Sequence, residues 1–410
     1  MKLKKISAFL VSGFLMLNNL SDVFAQPTEK VLTITEVNKI VKNENNEYGS
    51  PNKHWNEETG EFIVPDGYTK VAPLYSKDKN SEKCLIYNTV KKIVLPESVK
   101  ELEDEALAGI ELNEIILPEG MTKIGKGNFS MSNIKTIKWP RSVTRIEEGM
   151  FGYANLEEIE IPDTVTYIGN VAFLNTKLKE VYIPDSVTEI GEGAFYDCDS
   201  LEKVRLPKNI TKIVNSFHRT AIEGIEIPEN VKEIGYYTFE GSKLRSISLP
   251  QNVSKIGRDA FWFCEDLESV EMPGVTSLGD YAFSNCDKLK KLTVCKQFFL
   301  SKEISEKAFS ANIDEFYDEP GKAVKENSVD VYVTDGTDGL KIEDIKAKNL
   351  WIRTINSINN QAVQEEAKTE IKSESIEKTI PNTGKAELGL ASMVIVSFIM
   401  LALSNKPRKI

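Results

Sequence analysis

The sequence predicts a repeat solenoid that is mainly β, with short helical or 3-10 return segments and a cap at each end. Phenylalanine recurs at intervals of 22 residues, and proline recurs at intervals of 21 to 23 residues. The residues before each proline alternate between apolar and polar, which is typical of a strand with one buried face. A fixed period of this length indicates tandem structural units, here about nine of them. The phenylalanines are Phe129, Phe151, Phe173, Phe195, Phe217, Phe239, Phe261 and Phe283.

The unit at 156–173 shows the elements of one turn in order. Its alternating first segment predicts a strand, which Pro162 ends because proline has no backbone donor. Val165 and Ile168 predict a second short strand. Gly169 follows at a point where we expect the chain to need a positive φ in order to turn. The last third of the unit predicts a helical or 3-10 return that places the phenyl ring in the core.

Stacking is required because one unit of this length cannot bury its own apolar side. In a stack, each repeat phenylalanine packs on its equivalents in the turns before and after it. We predict the solenoid at 91–295, an N-terminal cap region at 26–90 and a C-terminal cap region at 296–355. The segment 356–379 is mostly Asn, Gln, Glu, Lys and Ser, which predicts a disordered spacer.

The consensus of the units, Leu-x-x-Ile-x-Ile-Pro-x-x-Val-x-x-Ile-Gly-x-x-Ala-Phe, resembles the BspA-type leucine-rich repeat over about residues 91–295. The resemblance implies a leucine-rich-repeat fold and a bacterial surface protein associated with adhesion to host matrix, host cells or other microbes. The period by itself indicates only a solenoid, because one fold can serve many functions.

Residues 1–25 have the order of a secretory signal peptide. A basic start at Lys2–Lys5 precedes an apolar run from Ile6 to Leu17, and Val23-Phe24-Ala25 supplies the cleavage site. The alternative, an N-terminal membrane anchor, needs roughly 20 continuous apolar residues, and this run is shorter. We therefore predict a secreted chain whose mature form begins at Gln26.

Residues 380–410 carry a second targeting pattern, in which a pentapeptide precedes an apolar run and a basic tail. This order resembles the sorting signal of Gram-positive surface proteins. The resemblance implies that a sortase cleaves between Thr383 and Gly384 and joins the Thr383 carbonyl to a peptidoglycan amine, so that the chain is anchored to the cell wall and contacts the membrane only transiently. Ile380 stands where the pattern has leucine, which leaves the sortase class open, and an ordinary C-terminal membrane helix is the alternative. The pentapeptide is Ile380, Pro381, Asn382, Thr383 and Gly384.

The charge of the exported chain argues against two classes of partner. The signal peptide and the segment from Gly384 onward together hold seven Lys or Arg and two Asp or Glu. The remaining chain has 44 basic and 60 acidic residues, a net charge of -16. Such a surface repels nucleic acid and anionic membranes.

Catalytic and metal-binding patterns are absent from the sequence. Its two histidines are His54 and His218, and His218 follows a repeat phenylalanine in a slot that we predict to be outward and solvated. No Cys-x-x-Cys, His-Glu-x-x-His or phosphate-binding glycine loop occurs. We therefore predict no catalytic residues, no metal and no cofactor, and we expect that the protein is not an enzyme.

Three of the five cysteines, Cys198, Cys264 and Cys286, each lie three residues after a repeat phenylalanine. Other turns fill this column with Ser, Thr or Ala, which favours a tight packing position. Cys264 and Cys286 lie in adjacent turns, and a disulfide between them after export is left open. Cys84 and Cys295 have no evident partner.

The outward columns of the first strand are the candidate binding surface, since solenoids use aligned columns as extended recognition faces. Tyr and Arg are enriched in interface hot spots, which draws attention to Tyr182 with Arg205. The alternative is that these side chains only solvate the strands. The candidate binding face consists of Lys138, Glu160, Tyr182, Arg205 and Glu226.

The sequence thus predicts a non-catalytic adhesion module whose partner is a host or microbial protein or glycan, besides the sortase and the peptidoglycan of the anchor. Two alternatives remain: a structural component of the cell envelope with no discrete ligand and, more remotely, an enzyme with a site in the cap regions. The three differ in what removal of the chain would change: attachment, envelope structure or a catalysed reaction.

Overall fold

The structure is a computed structural model that describes residues 29–42, 52–75, 83–309, 329–336 and 340, together with the backbone of 352–357. The predicted signal peptide, the sorting pentapeptide with the apolar run after it, and nearly all of the predicted spacer lie outside these residues. The chain divides into two compact units, Met1–Ile358 and Asn359–Ile410, and all the described residues belong to the first.

The described part of the first unit is a parallel β-solenoid, which confirms the predicted fold class. Most turns contribute a strand of three or four residues to a first face and a strand of two residues to a second face. In chain order the elements are β1 (Val31–Leu32), α1 (Ile34–Lys42), β2 (Trp55–Asn56), β3 (Glu61–Ile63), β4 (Lys70–Val71), β5 (Lys92–Val94), β6 (Glu101–Leu102), β7 (Glu114–Ile116), β8 (Lys123–Ile124), β9 (Thr136–Lys138), β10 (Arg145–Ile146), β11 (Glu158–Glu160), β12 (Tyr167–Ile168), β13 (Glu180–Tyr182), β14 (Glu189–Ile190), β15 (Lys203–Arg205), β16 (Lys212–Ile213), β17 (Glu233–Ile234), β18 (Ser246–Ser248), β19 (Lys255–Ile256), β20 (Ser269–Met272), β21 (Ser277–Leu278), β22 (Lys291–Val294), α2 (Lys296–Leu300), β23 (Val329–Val333) and β24 (Ile352–Ser357).

Hydrogen-bonded ladders join the turns on both faces. On the first face the ladders are β2-β3-β5-β7, β9-β11, β13-β15 and β18-β20-β22-β23-β24, and on the second face they are β1-β4-β6-β8, β10-β12-β14 and β16-β17-β19-β21. All of these strand pairs are parallel except β2 with β3. Partners lie about one repeat apart, as Ile137 does from Ile159, so equivalent residues of successive turns form columns.

The phenylalanine column lies in the core of the solenoid. Consecutive rings from Phe129 to Phe283 lie 4.9 to 5.7 Å apart between centroids, with interplanar angles of 5° to 25°. None of these rings is more than 3% exposed. Burial of one such ring contributes roughly 1.5–3 kcal/mol, and the stack repeats this contribution in every turn.

The return segments differ from the predicted helical or 3-10 form. In the turn of Phe173, the residues two before and two after the ring are Val171 and Asn175, with positive φ values of 46° and 51°. A helix of L-residues cannot contain left-handed residues at such close intervals. The return is instead a ladder of turns, in which the Phe173 N–H donates to the Ala194 carbonyl of the next turn at 2.8 Å.

Gly169 has a different role from the predicted one, because its φ is not positive. A Cβ at this position would lie 2.5 Å from the backbone nitrogen of Glu148 in the preceding turn. Gly191 is crowded in the same way, at 2.4 Å from the Asn170 nitrogen. Glycine therefore occurs at this corner because adjacent turns approach too closely for a side chain.

Helix α1 packs on the N-terminal turns of the solenoid. Val37 is fully buried, and the Asn38 side chain accepts the Leu85 N–H at 2.8 Å and donates to the Lys83 carbonyl at 2.9 Å. The predicted cap region also contains a turn of the solenoid itself, because β3 pairs in parallel with β5.

The repeat continues beyond 295 despite a longer spacing. Phe309 lies 26 residues after Phe283, yet the two rings stack with their centroids 5.4 Å apart. Helix α2 lies within this longer turn and takes up the extra residues. Strands β23 and β24 then extend the first face, and β24 ends at Ser357, two residues inside the predicted spacer.

None of the five cysteines, all of which lie in the described residues, forms a disulfide, so Cys264 and Cys286 are not bonded to each other. The Cys264 thiol donates to the Phe239 carbonyl at 3.0 Å, and the Cys286 thiol donates to the Phe261 carbonyl at 3.1 Å. Each of these cysteines thus links its turn to the preceding one. Burial raises the pKa of the Cys198 thiol to about 11 and that of the Cys264 thiol to about 12.

We expect Gly169→Ala to lower the free energy of unfolding by about 3 kcal/mol, because the added methyl group overlaps the preceding turn. Gly149→Ala is the matched control, since Gly149 has a φ of +62° and open space around it. Its loss should be about 1–2 kcal/mol, from left-handed strain alone. Urea denaturation followed by circular dichroism measures both variants. Equal losses in the free energy of unfolding would show that contact with the preceding turn does not explain the glycine at position 169.

The thiols should also differ in reactivity. At pH 8, a thiol with a pKa of about 12 is only about one part in 10,000 thiolate. Buried Cys264 should therefore resist alkylation in the folded chain, whereas Cys295, which is only partly buried, should react first. Timed iodoacetamide treatment followed by mass spectrometry measures the order, and rapid modification of Cys264 in native buffer would show that the cysteine column opens.

Candidate binding face on the first strands

The outward positions of the first strands form a column of exposed side chains. Lys138 in β9, Glu160 in β11 and Tyr182 in β13 are exposed, while the middle residue of each strand faces inward. Arg205 in β15 continues the column and is half-buried. Because parallel strands lie about 4.8 Å apart, these side chains are close neighbours along the solenoid axis.

Glu226, the fifth predicted member, is exposed but lies outside any strand. The interruption coincides with Gly224, two residues earlier, since glycine has no side chain to pack and weakens a strand. The regular part of the candidate binding face therefore ends at Arg205.

Tyr182 and Arg205 lie opposite each other in the β13–β15 ladder. The guanidinium carbon of Arg205 is 4.7 Å from the centroid of the Tyr182 ring, within the range of a cation–π interaction. Tyr182 is nonetheless 62% exposed. The arrangement presents an aromatic ring to solvent and restrains its orientation.

Asp185 forms an ion pair with Arg205 and neutralises its charge. The Arg205 Nη1 is 2.6 Å from Oδ1 of Asp185 and also donates to the Ile183 carbonyl at 2.8 Å. The side-chain hydrogen bond from Arg205 lowers the pKa of the Asp185 carboxyl to about 2, so the pair stays ionised across the physiological range. Because its charge is already paired within the chain, Arg205 serves mainly to keep the Tyr182 ring in place through the cation–π contact.

Glu119 pairs with Lys138 in the same way, with 2.5 Å between Nζ and Oε1. Glu119 and Asp185 both directly follow the repeat proline of the preceding turn, a position outside the strands of the candidate binding face. Asp163 occupies the same position and pairs with Arg141 at 3.1 Å. The acidic residue after the proline is the sequence signal that identifies these partners.

His218 is buried, so the prediction of a solvated, outward histidine is wrong. Its ring stacks on Tyr196 with 4.0 Å between centroids. Its Nδ1 lies 3.2 Å from Asp197 and its Nε2 lies 3.2 Å from Glu240. Side chains from the turns on either side cover the histidine, which links three successive turns.

Other features of the described residues lie apart from the candidate binding face. His54 is half-buried, and its Nδ1 is 3.0 Å from the Ile63 carbonyl oxygen. A depression of about 320 Å³ lies beside β19 and β21, over Gly257 and Gly279. Within the described ranges, no group of three His, Cys, Asp or Glu is placed to hold a metal ion. Neither helix of this part of the chain is long and apolar enough to cross a lipid bilayer.

Several solved structures are similar to the chain. A leucine-rich repeat protein from Bacteroides ovatus is 24% identical, with a TM-score of 0.39, over 57% of this chain and 66% of that one, slightly less than two thirds of its length. A leucine rich cell surface protein from Faecalibacterium prausnitzii is 17% identical, with a TM-score of 0.40, over 82% of this chain and 100% of that one. The pneumococcal vaccine antigen PcpA is 20% identical, with a TM-score of 0.38, over 73% and 89%.

The family described as BspA type leucine rich repeat region matches residues 79–202 and 188–314, in six copies. No curated protein sequence was found to match the chain. The matched ranges extend from the turn of β5 to the turn of Phe309, and they include every strand of the candidate binding face. Because these ranges cover more than half of the sequence, the chain belongs to the BspA-type leucine-rich repeat family.

Proposed function

We propose that the chain is a non-catalytic adhesion module of the bacterial cell surface, which binds a host or microbial partner through the candidate binding face. Proteins of the BspA type are typically surface-exposed bacterial proteins, which supports a binding module of this kind. The observation that carries the proposal is Tyr182, an aromatic ring that is 62% exposed in the middle of an ordered column.

An exposed, oriented aromatic ring favours binding for two physical reasons. Tyrosine offers a large apolar surface and a hydroxyl group while it loses little conformational entropy on contact. Arg205 and the β13–β15 ladder already restrain Tyr182, so the Tyr182 side chain loses less conformational entropy when a partner binds. The outward columns vary in residue type from turn to turn, which gives one scaffold a specific surface.

The location proposed for this module is the Gram-positive cell wall. The order of basic, apolar and small residues at 1–25 supports export, and the pentapeptide at 380–384 with its apolar run and basic tail supports processing by a sortase. The anchor would then be an amide bond between Thr383 and a peptidoglycan amine. Wall attachment of this kind leaves the solenoid outside the membrane and available to a partner.

If a sortase anchors the chain, a change at Thr383 should shift the chain from the cell-wall fraction to the membrane fraction. Thr383→Ala should move the chain from the fraction released by muramidase to the membrane fraction, because the sortase acts at the Thr383 carbonyl. Asn382→Ala is the control, since the motif accepts many residues at that position. Immunoblots of the fractions measure the shift, and wall release that is equal for both variants would exclude the sortase route.

The binding face predicts a loss of attachment. Tyr182→Ala combined with Arg205→Ala should reduce attachment of chain-bearing cells to matrix proteins, host cells or other microbes about tenfold, as expected when a hot spot is removed. The matched control is Arg145→Ala with Tyr167→Ala, which removes the same kind of pair from the second face, where the guanidinium lies 3.8 Å from the ring centroid.

Attached cells are counted for strains that carry the unchanged chain, the Tyr182 and Arg205 variant or the control variant, at equal surface amounts of each chain. The counts show whether the candidate binding face contributes to attachment. Full attachment by the Tyr182 and Arg205 variant would exclude this face. If deletion of the whole chain changes the envelope and leaves attachment intact, the protein is a structural component. A reaction lost on deletion would instead point to an enzyme.

A further inference from the structure

The cations of the candidate binding face are already neutralised within the chain. Lys138 lies 2.5 Å from Glu119, and Arg205 lies 2.6 Å from Asp185. Lys203, which lies in the neighbouring outward column, is 3.9 Å from the Glu180 carboxylate. None of these side chains offers an unpaired positive charge to an acidic partner.

Carboxylates of the same face are in the opposite situation. Glu158 and Glu160 in β11 and Glu226 after β15 are all exposed. Among the residues that the structure describes, no ion pair involves any of the three. Glu160 lies opposite Lys138 in the β9–β11 ladder, and Glu226 interacts electrostatically with Arg205. Both cations are already paired with other carboxylates, so the surroundings of Tyr182 carry net negative charge beside an apolar surface.

The spacing of these groups matches an extended chain that runs along the solenoid axis. Glu160 and Glu226 are three turns apart, which is about 14 Å at a strand spacing of about 4.8 Å. An extended segment rises about 3.3 Å per residue, so residues i and i+4 span about 13 Å and point to the same side. Residue i+2 would then lie above Tyr182 and Arg205.

We propose that the partner segment recognised by the candidate binding face is basic and extended, with Lys or Arg at positions i and i+4 facing Glu160 and Glu226 and an apolar side chain at i+2 against Tyr182. This inference rests on the proposed function and names the chemistry of the partner at the same site. Opposite charges across the interface would speed association and align the segment, while the Tyr182 ring supplies the contact area.

The test uses the full chain and a fluorescein-labelled peptide, Gly-Gly-Arg-Gly-Leu-Gly-Arg-Gly-Gly. In two analogues, citrulline or glutamate replaces both arginines. Fluorescence anisotropy at low salt should show the arginine peptide binding at least tenfold more tightly than either analogue. The triple change Glu158→Gln, Glu160→Gln and Glu226→Gln should weaken arginine-peptide binding about tenfold, since each exposed charge pair adds a modest amount.

A matched triple change removes the same charge elsewhere: Glu57→Gln, Glu58→Gln and Glu265→Gln, all at exposed positions. This control should leave the affinity within twofold of the unchanged chain, and urea denaturation should show that both triple variants are folded. Equal binding of the citrulline peptide, or an equal loss in the control, would overturn the proposal.

Adhesion assays separate this inference from the proposed function. If the Tyr182 and Arg205 variant loses attachment while the Glu158, Glu160 and Glu226 variant keeps it, the face binds and the basic partner is wrong. If both variants keep full attachment, the proposed binding face fails as well. Loss of attachment in both, together with arginine-dependent peptide binding, is the result that the inference expects.

Discussion

The distance between adjacent turns governs the rest of the solenoid. Parallel strands set it at about 4.8 Å, and the phenylalanine rings follow with centroid separations of 4.9 to 5.7 Å. Aromatic rings stack favourably at such distances when they are offset, which lets every turn repeat the same contact. The same distance leaves no room for a Cβ at Gly169, and it brings the Cys264 thiol within reach of a carbonyl in the preceding turn. The distance between adjacent turns thus determines which residue types fit at several positions of each turn.

Charge alternation supports this arrangement on the second face. Glu101 lies between Lys70 at 3.6 Å and Lys123 at 2.7 Å, and the same alternation recurs around Glu233. Exposed pairs of this kind contribute only about 0–1 kcal/mol each. Their greater effect is on the order of the strands, because a pairing that skipped a turn would bring lysine against lysine. The apolar columns therefore provide the stability, and the polar columns favour one stacking order.

The sequence was sufficient to predict those parts of the fold that depend on the pattern of buried and exposed residues along the chain. The period and the alternation around Pro162 predicted strands such as β11, because they report directly which side chains face inward. The return was not predictable in this way, since a β-branched residue such as Val171 gives no sign of a left-handed conformation. The burial of His218 also depends on Tyr196 and Glu240, which approach it only when the turns stack.

The candidate binding face was predictable to a similar extent. The period placed Tyr182 and Arg205 in neighbouring turns, and they lie opposite each other in the structure. The ion pair between Arg205 and Asp185 joins a strand to a loop of the preceding turn, an offset that the period does not reveal. The sequence therefore indicated Arg205 as a binding residue without its partner, whereas the structure shows its charge already paired with Asp185.

The 26-residue interval between Phe283 and Phe309 distinguishes two kinds of change in length. Residues added between the two strands of a turn can form a short helix such as α2, whose Phe298 and Phe299 pack into the core, and the rings on either side still stack. Residues added beside the ring would instead separate adjacent turns. Gene segments that encode a loop at this corner, or a whole turn, can therefore be gained or lost without refolding the neighbours. Through such events, related chains can lengthen the solenoid in steps of about 4.8 Å.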